Sequence, residues 1–359
     1  MKILISGGHI TPALAVIDEL PAPIKAKLIF VGRKHNHIFD NELSFEYKEI
    51  EKRQIKFIDL HAGRLSAYLS IYTLINLLLL PIGFLQALWI VLRYQPEKIL
   101  SYGGYLGFPI TLAAAIFRIP IFIHEQTIKP GNANRLGAFF AEKIFVSFPE
   151  TLAYFKQEKT IVTGNPIRRS LFAESKKMLF LKDIKKNIIY VTGGSLGSKK
   201  INSLIEQILP DLLQDYYVIH QCGSYDDNVD YCRMKQINHP NYFIQPHFDD
   251  QELSQIYSRV DLVISRAGAN TIFELIAMEK AAILIPLKIA AYGEQQHHAE
   301  MMKKNGVANI FQETGESHDL YIMICQMMND RHSYRKNFFK LKSLYRTNSA
   351  KEICRILLQ

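Results

Sequence analysis

Several features are scarce in this sequence, and each scarcity removes a class of protein. Cysteine occurs four times, as Cys222, Cys232, Cys325 and Cys354, with neither CxxC spacing nor the density of a disulfide framework. A disulfide-stapled secreted scaffold is therefore excluded, and reduced structural thiols of the cytosolic kind are expected. No low-complexity tract or short-period repeat interrupts the chain, which removes solenoid and disordered classes. Zinc-finger, helix-turn-helix and RNP-like signatures are missing, so nucleic acid is not expected as a partner. The stretch Met1–Val16 passes from a strand directly into a glycine turn, without a long apolar core and cleavage site. It does not read as a secretory signal.

Acidic residues are in deficit: 34 Asp and Glu face 43 Lys and Arg, a formal charge of +9. Such an excess points to an anionic partner, either a nucleotide phosphate or an anionic membrane surface. At 359 residues with 48% apolar content, the chain is long enough for two globular domains.

Strand-like apolar runs alternate with helical patterns throughout, which implies an α/β fold of parallel sheets covered by helices. In the first half the expected strands are Lys2–Ser6, Lys27–Gly32, Lys98–Tyr102, Ile119–Glu125 and Lys143–Phe148. In the second they are Asn187–Thr192, Tyr216–Gln221, Tyr242–Gln245, Asp261–Ser265 and Ala281–Pro286. Each half opens alike, an apolar strand running into Ser6-Gly7-Gly8-His9 or into Thr192-Gly193-Gly194-Ser195-Leu196-Gly197-Ser198. Two Rossmann-like halves facing each other would hold a ligand beyond the C-terminal ends of their strands. Thr163-Gly164-Asn165-Pro166 reads as the hinge, giving domains 1–165 and 166–340. Helical patterning over about 341–359 is placed to return to the first domain. An NAD site fits badly, because the second strand ends Phe30-Val31-Gly32-Arg33-Lys34 and lacks the ribose-binding acid.

The richest stretch is Asp261–Gln296. A buried strand leads through Arg266-Ala267-Gly268-Ala269-Asn270-Thr271 into a helix, whose free N–H groups and dipole favour a diphosphate. Glu274, placed in about the first turn, suits paired sugar hydroxyls; Gln295 and Gln296 offer amides for more. A plain strand–turn–helix with Thr271 as cap is the alternative reading.

Ser70–Leu92 contains no formal charge and has the length of a membrane span. Pro81 and Gly83 are expected to break it into two helical pieces, with Asn76 and Gln86 interrupting the apolar faces. An exposed apolar face including Leu79 and Phe84, with Arg53, Lys56, Arg64 and Arg93 nearby in sequence, suggests docking on an anionic membrane. A buried crossover helix is the competing reading.

Taken in order, several motifs resemble the MurG family of N-acetylglucosaminyltransferases. They are Gly7-Gly8-His9 with Thr11–Ala15, Gly103-Gly104-Tyr105, His124-Glu125-Gln126, Gly131–Arg135, Thr163–Arg168, Gly193–Gly197 and Asp261–Glu274. The resemblance implies a GT-B fold, two Rossmann-like domains facing across a cleft. It implies an inverting transfer of GlcNAc from UDP-GlcNAc to lipid I, an undecaprenyl-pyrophosphoryl-MurNAc-pentapeptide, giving lipid II. His9 matches the base. Arg168, Ser195, Phe248 (through its backbone), Arg266, Ala269, Asn270, Thr271, Glu274, Gln295 and Gln296 match the donor side. Ser6, Gly7, Gly8, Gly103, Gly104, Tyr105, Glu125, Thr127 and Asn134 match the acceptor and its diphosphate. UDP-GlcNAc is a substrate, no cofactor or metal is implied, and the adjacent Asp249-Asp250 reads as a solvated loop. The implied location is the cytoplasmic face of the cell membrane, or of the inner membrane, as a peripheral protein. The first glycine loop is shorter than the family's GGTGGH form, and Thr127 and Ala299 stand where the family has Asn. A glycolipid glycosyltransferase with another acceptor, or a catalytically silent nucleotide-sugar-binding subunit, are the alternatives.

Overall fold

All ten apolar runs form strands, and three short ones that the pattern does not single out join them. The structure, a computed structural model, describes residues 1–35, 43–63, 71–173, 181, 183–194, 197–223, 229–287 and 293–359, with backbone alone over 71–78. Two units result, Met1–Pro166 with Arg346–Gln359, and Ile167–Tyr345.

The first unit holds β1 (Ile3–Ser6), β2 (Ile29–Gly32), β3 (Lys56–Asp59), β4 (Lys98–Ser101), β5 (Ile121–Glu125), β6 (Lys143–Val146) and β7 (Thr160–Val162). They form one sheet in the order β3-β2-β1-β4-β5-β6-β7. The second holds β8 (Asn187–Thr192), β9 (Tyr216–Gln221), β10 (Tyr242–Gln245), β11 (Leu262–Ser265), β12 (Ala282–Leu284) and β13 (Ala308–Ile310), ordered β10-β9-β8-β11-β12-β13. Every pairing in both sheets is parallel. Side chains alternate between two apolar layers, which is why the strands read as unbroken hydrophobic runs. Ile3 and Ile5 enter one layer and Leu4 the other; Ile188 and Tyr190 enter one, Ile189 and Val191 the other.

Helix Ser349–Leu358 packs on helix Ile10–Glu19 of the first unit. Ile353, Cys354 and Leu357 are buried in that layer, and Ser349 Oγ donates to the Gly164 carbonyl at 2.9 Å.

The long apolar stretch corrects the sequence reading. It is one helix, Ile71–Tyr94, running through Pro81. Gly83 sits where the helix meets the chain beyond β3: a Cβ there would lie 2.8 Å from Ala62 Cα, so the glycine allows close packing. Gln86 faces the same segment, accepting from His61 N at 2.9 Å and donating to the Asp59 carbonyl at 2.7 Å. Gly83, Ala87, Ile90 and Val91 are buried, while Ile82, Leu85, Trp89 and Leu92 are each more than half exposed. Leu79 and Phe84 are half-buried and do not belong to the exposed stripe. Among the described residues no helix is long and apolar enough to cross a membrane.

Leu357→Ala is expected to destabilise the first unit by about 2–5 kcal/mol, the usual cost of such a truncation in a core. An earlier urea transition for that unit, with the second unit's transition unmoved, is the expected signature. Two unmoved transitions would make the returning helix a bystander.

Candidate active site

Open parallel sheets bind ligands beyond the C-terminal ends of strands where the strand order reverses. Here the order reverses between β1 and β4 in one unit and between β8 and β11 in the other. The sequence places glycine turns at all four of those strand ends.

In the first unit, β1 runs into Gly7, whose φ of 130° suits glycine and whose added Cβ would lie 2.9 Å from Tyr102. Ser6 is buried beneath the turn, and its hydroxyl has no partner among the described residues. Gly103, after β4, has φ 72°, and a Cβ on it would lie 2.3 Å from Asn134 Oδ1. Gly8 N lies 3.9 Å from where a Cβ on Gly104 would be, so the two turns adjoin. Tyr105 follows in helix Gly104–Ile116 and is half-buried.

His9 is exposed at the mouth of the first turn. Desolvation by the surrounding protein lowers its pKa, to about 4. The lowered pKa leaves a neutral imidazole at neutral pH. Behind it, His124 is fully buried with its ring tilted over Tyr102, and burial lowers its pKa to about 3.

Glu125, Thr127 and Asn134, read from the sequence as acceptor contacts, are buried and joined by hydrogen bonds. Glu125 Oε1 accepts from Thr127 N at 2.9 Å and Thr127 Oγ1 at 2.7 Å. Its Oε2 accepts from Asn134 Nδ2 at 2.9 Å and Gly131 N at 3.3 Å. Burial raises the Glu125 pKa and these four bonds oppose the rise. The buried carboxylate is thus the brace that shapes the 125–134 loop.

In the second unit, β11 leads through Arg266-Ala267-Gly268 into helix Ala269–Ala277, capped by Gly268. Thr271 is therefore the third helical residue and not the cap. Ala269, Asn270 and Thr271 form the first turn, whose N–H groups lack intrahelical acceptors. Glu274 falls in the second turn, one turn later than the sequence reading. It is 13% exposed, accepts from Tyr257 OH at 3.2 Å and lies 3.9 Å from Arg168 Nη2. Burial raises its pKa, opposed by the Arg168 charge and then by the Tyr257 bond.

Arg266, read from the sequence as a donor-side residue, is hydrogen-bonded to three segments of the protein. It donates to the Ile285 carbonyl at 3.1 Å, Ser198 Oγ at 2.7 Å and Glu313 Oε1 at 2.6 Å. It thereby ties the turn after β11 to the turn after β8. Phe248 is fully buried against Tyr190 and Phe243, and its N–H goes to Gln221 Oε1 at 3.3 Å. Gln295 Oε1 accepts from Leu287 N at 3.0 Å, and Gln296 Nε2 donates to Glu300 at 2.9 Å. Ala299 is fully buried in the core. Ser195 lies outside the described residues.

The Asp249-Asp250 pair is not a solvated loop. Asp249 caps helix Asp250–Arg259 in a reciprocal capping box with Glu252. Asp250 ion-pairs with Arg168 Nη1 and accepts from Ser170 Oγ at 2.6 Å. The spacing Asp249-x-x-Glu252 is a capping-box signature and marks the helix start in the sequence. Its long-range partners carry no sequence signal.

Residues 6–146 match the glycosyltransferase family 28 N-terminal domain and residues 188–352 its C-terminal domain. A UDP-N-acetylglucosamine--N-acetylmuramyl-(pentapeptide) pyrophosphoryl-undecaprenol N-acetylglucosamine transferase of Clostridium novyi is 34% identical, over 94% of this chain and 93% of its own. A Clostridium perfringens protein of the same name is 35% identical over 87% and 85%. The crystal structure of Acinetobacter baumannii MurG superposes with a TM-score of 0.69 at 24% identity, covering 100% of this chain and 99% of that one. The fold is thus of the GT-B class.

Gly103→Ala is expected to destabilise the first unit by about 1–3 kcal/mol, because its backbone conformation is costly for any residue with a Cβ. A fall of several degrees in Tm checks this. A wild-type Tm would mean that neither the backbone nor the Asn134 contact constrains the position.

Proposed function

The chain belongs to the MurG family within glycosyltransferase family 28, and from that premise we propose how its two units divide the work. The protein moves GlcNAc from UDP-GlcNAc to lipid I, forming lipid II in peptidoglycan synthesis. The first unit takes the lipid-linked acceptor and the second takes UDP-GlcNAc. The observation that carries this division is the pair of reversal points, one per unit, each framed by glycine turns.

Inverting transfer is a single displacement. The acceptor hydroxyl attacks the anomeric carbon, the bond to UDP breaks, and a base removes the hydroxyl proton. His9 is that base: neutral at working pH and set in the turn that also cradles the acceptor. The first-turn N–H groups of helix Ala269–Ala277, with Ser195 and Arg168, receive the diphosphate, where a helix N-terminus favours negative charge. Glu274 accepts the ribose hydroxyls, and Gln295 and Gln296 meet those of GlcNAc. Phe248 fixes the loop whose backbone reads the uracil. Arg266 and Glu125 serve as struts for the donor and acceptor turns. Turnover of radiolabelled UDP-GlcNAc with lipid I, and with a diacylglycerol acceptor as control, tests the reading. Transfer to diacylglycerol alone would overturn it.

The second part of the proposal concerns the membrane. The first unit carries 21 Lys and Arg against 14 Asp and Glu, a net +7; the second carries 22 against 20, a net +2. On the basic unit, Ile82, Leu85, Trp89 and Leu92 form an exposed apolar stripe at helical spacing. The neighbouring helices Gly104–Ile116 and Asn132–Gly137 pack in series beside it, and exposed Ile116, Phe117, Leu136, Phe139 and Phe140 lie on or just after them. Arg53 is paired with Asp18 and Glu49, so its charge is largely neutralised, whereas Lys56 and Arg93 flank Tyr94 at the end of the stripe. Arg64 lies outside the described residues. This face docks the enzyme peripherally on the anionic cytoplasmic leaflet, where its acceptor resides.

His9→Ala is expected to lower turnover by about 10²–10⁴-fold with UDP affinity retained. In the wild type, the acid limb of kcat/KM should fall below the ordinary histidine value of about 6.5. A limb at or above that value, or a mutant within a few-fold of wild type, would remove His9 from the role.

Leu85→Asp with Trp89→Asp is expected to abolish sedimentation with anionic liposomes while leaving UDP affinity unchanged. Wild-type binding should weaken with salt, since screening acts over about 8 Å at physiological ionic strength. Retained binding by the double variant would dismiss this face.

A further inference from the structure

We propose that Asp250 is a positioning residue for the donor diphosphate, acting through Arg168 and itself held by Ser170. The inference rests on the reading of Ile167–Tyr345 as the UDP-GlcNAc half. It starts from the acidic pair that sequence alone assigns to solvent. Asp249 is consumed by its cap, which leaves Asp250 as the first residue of helix Asp250–Arg259. One Asp250 oxygen pairs with Arg168 Nη1 and the other accepts from Ser170 Oγ at 2.6 Å. The carboxylate is therefore fixed on both sides.

Arg168 is 9% exposed at its side chain, and a buried guanidinium needs both counter-charge and acceptors for its five N–H groups. Asp250 serves Nη1, and Glu274 stands 3.9 Å from Nη2. Nε is buried with no partner among the described residues. An Arg held at two corners with an unanswered buried N–H is a fork awaiting an oxygen. It lies against helix Ala269–Ala277, to which the donor-site reading assigns the diphosphate, since Glu274 belongs to that helix.

One helix organises both groups. Asp250 and Tyr257 are seven residues apart, two turns along one face. The first holds Arg168, and the second donates to Glu274 at 3.2 Å. Helix Asp250–Arg259 thus orients a cation for the diphosphate and a carboxylate for the ribose. A planar guanidinium oriented in advance loses less entropy when it binds phosphate. Asp250 could instead compete with the incoming phosphate for Arg168; the Ser170 clamp favours orientation, because the carboxylate is anchored independently of the arginine.

The test uses the full-length protein and compares UDP with uridine by calorimetry, so that the phosphate contribution is read alone. Arg168→Ala should weaken UDP and spare uridine. Asp250→Asn should weaken UDP by about tenfold with uridine unchanged, and should add nothing in the Arg168→Ala background. Ser170→Ala should act in the same direction by about threefold, and it decides the matter by the same criterion if Asp250→Asn does not fold. UDP affinity that is unchanged or tighter in Asp250→Asn would overturn the proposal in favour of competition or irrelevance. Parallel loss of UDP and uridine would overturn it in favour of a purely structural role. If Arg168→Ala leaves the UDP-to-uridine ratio intact, the donor-site reading fails, and the proposal fails with it.

Discussion

Parallel strands covered on both faces leave few places where chemistry can occur. Along β1 the side chains of Ile3, Leu4 and Ile5, and along β8 those of Ile188, Ile189, Tyr190 and Val191, enter one of two apolar layers, and the backbone is paired on both edges. Polar function is displaced to the strand ends, and the reversal of strand order opens a gap there between neighbouring turns. The glycines at these ends are set by crowding. Gly7 is pressed against Tyr102, Gly103 against Asn134, and Gly197 against the Cys222 carbonyl, where a Cβ would lie only 2.1 Å away. Close packing and positive φ therefore fall on the same few backbone positions, and glycine satisfies both.

Around those turns, charge is anchored before any substrate arrives. Glu125 receives four hydrogen bonds from its own loop, and Arg266 makes three to separate segments. Arg168 and Glu274 are each held from helix Asp250–Arg259. Groups fixed in this way need little reorganisation as charge moves to the departing diphosphate, and that preorganisation is the main lever of electrostatic catalysis. The arrangement also separates two arginines that look alike in sequence: both terminal nitrogens of Arg266 are bonded to protein, whereas Arg168 keeps a buried N–H unanswered among the described residues.

The sequence made the strands legible wherever a continuous apolar run was bounded by polar residues. Asn187–Thr192, Tyr216–Gln221 and Tyr242–Gln245 are read at their observed limits. β3, β7 and β13 escaped because they are three or four residues long and partly exposed, so neither length nor alternation marks them. The break expected at Pro81 and Gly83 fails for a packing reason. Gly83 is small because Ala62 presses on it, and one missing N–H at Pro81 does not end a helix of 24 residues. The glycine turns were legible because their order along the chain is local information. The Arg168–Asp250 pair, 82 positions apart, was not, because only the fold brings those residues together.

The first unit is discontinuous. Its sheet is complete by Val162, yet the apolar layer over helix Ile10–Glu19 is closed only by Ser349–Leu358. Those residues leave the ribosome after the whole of Ile167–Tyr345, which is contiguous. During synthesis the earlier unit must therefore wait with an open apolar seam while the later one completes its core. The order of emergence and the order of closure are reversed, and the open seam, rather than either sheet, is the surface that a nascent chain must protect from aggregation.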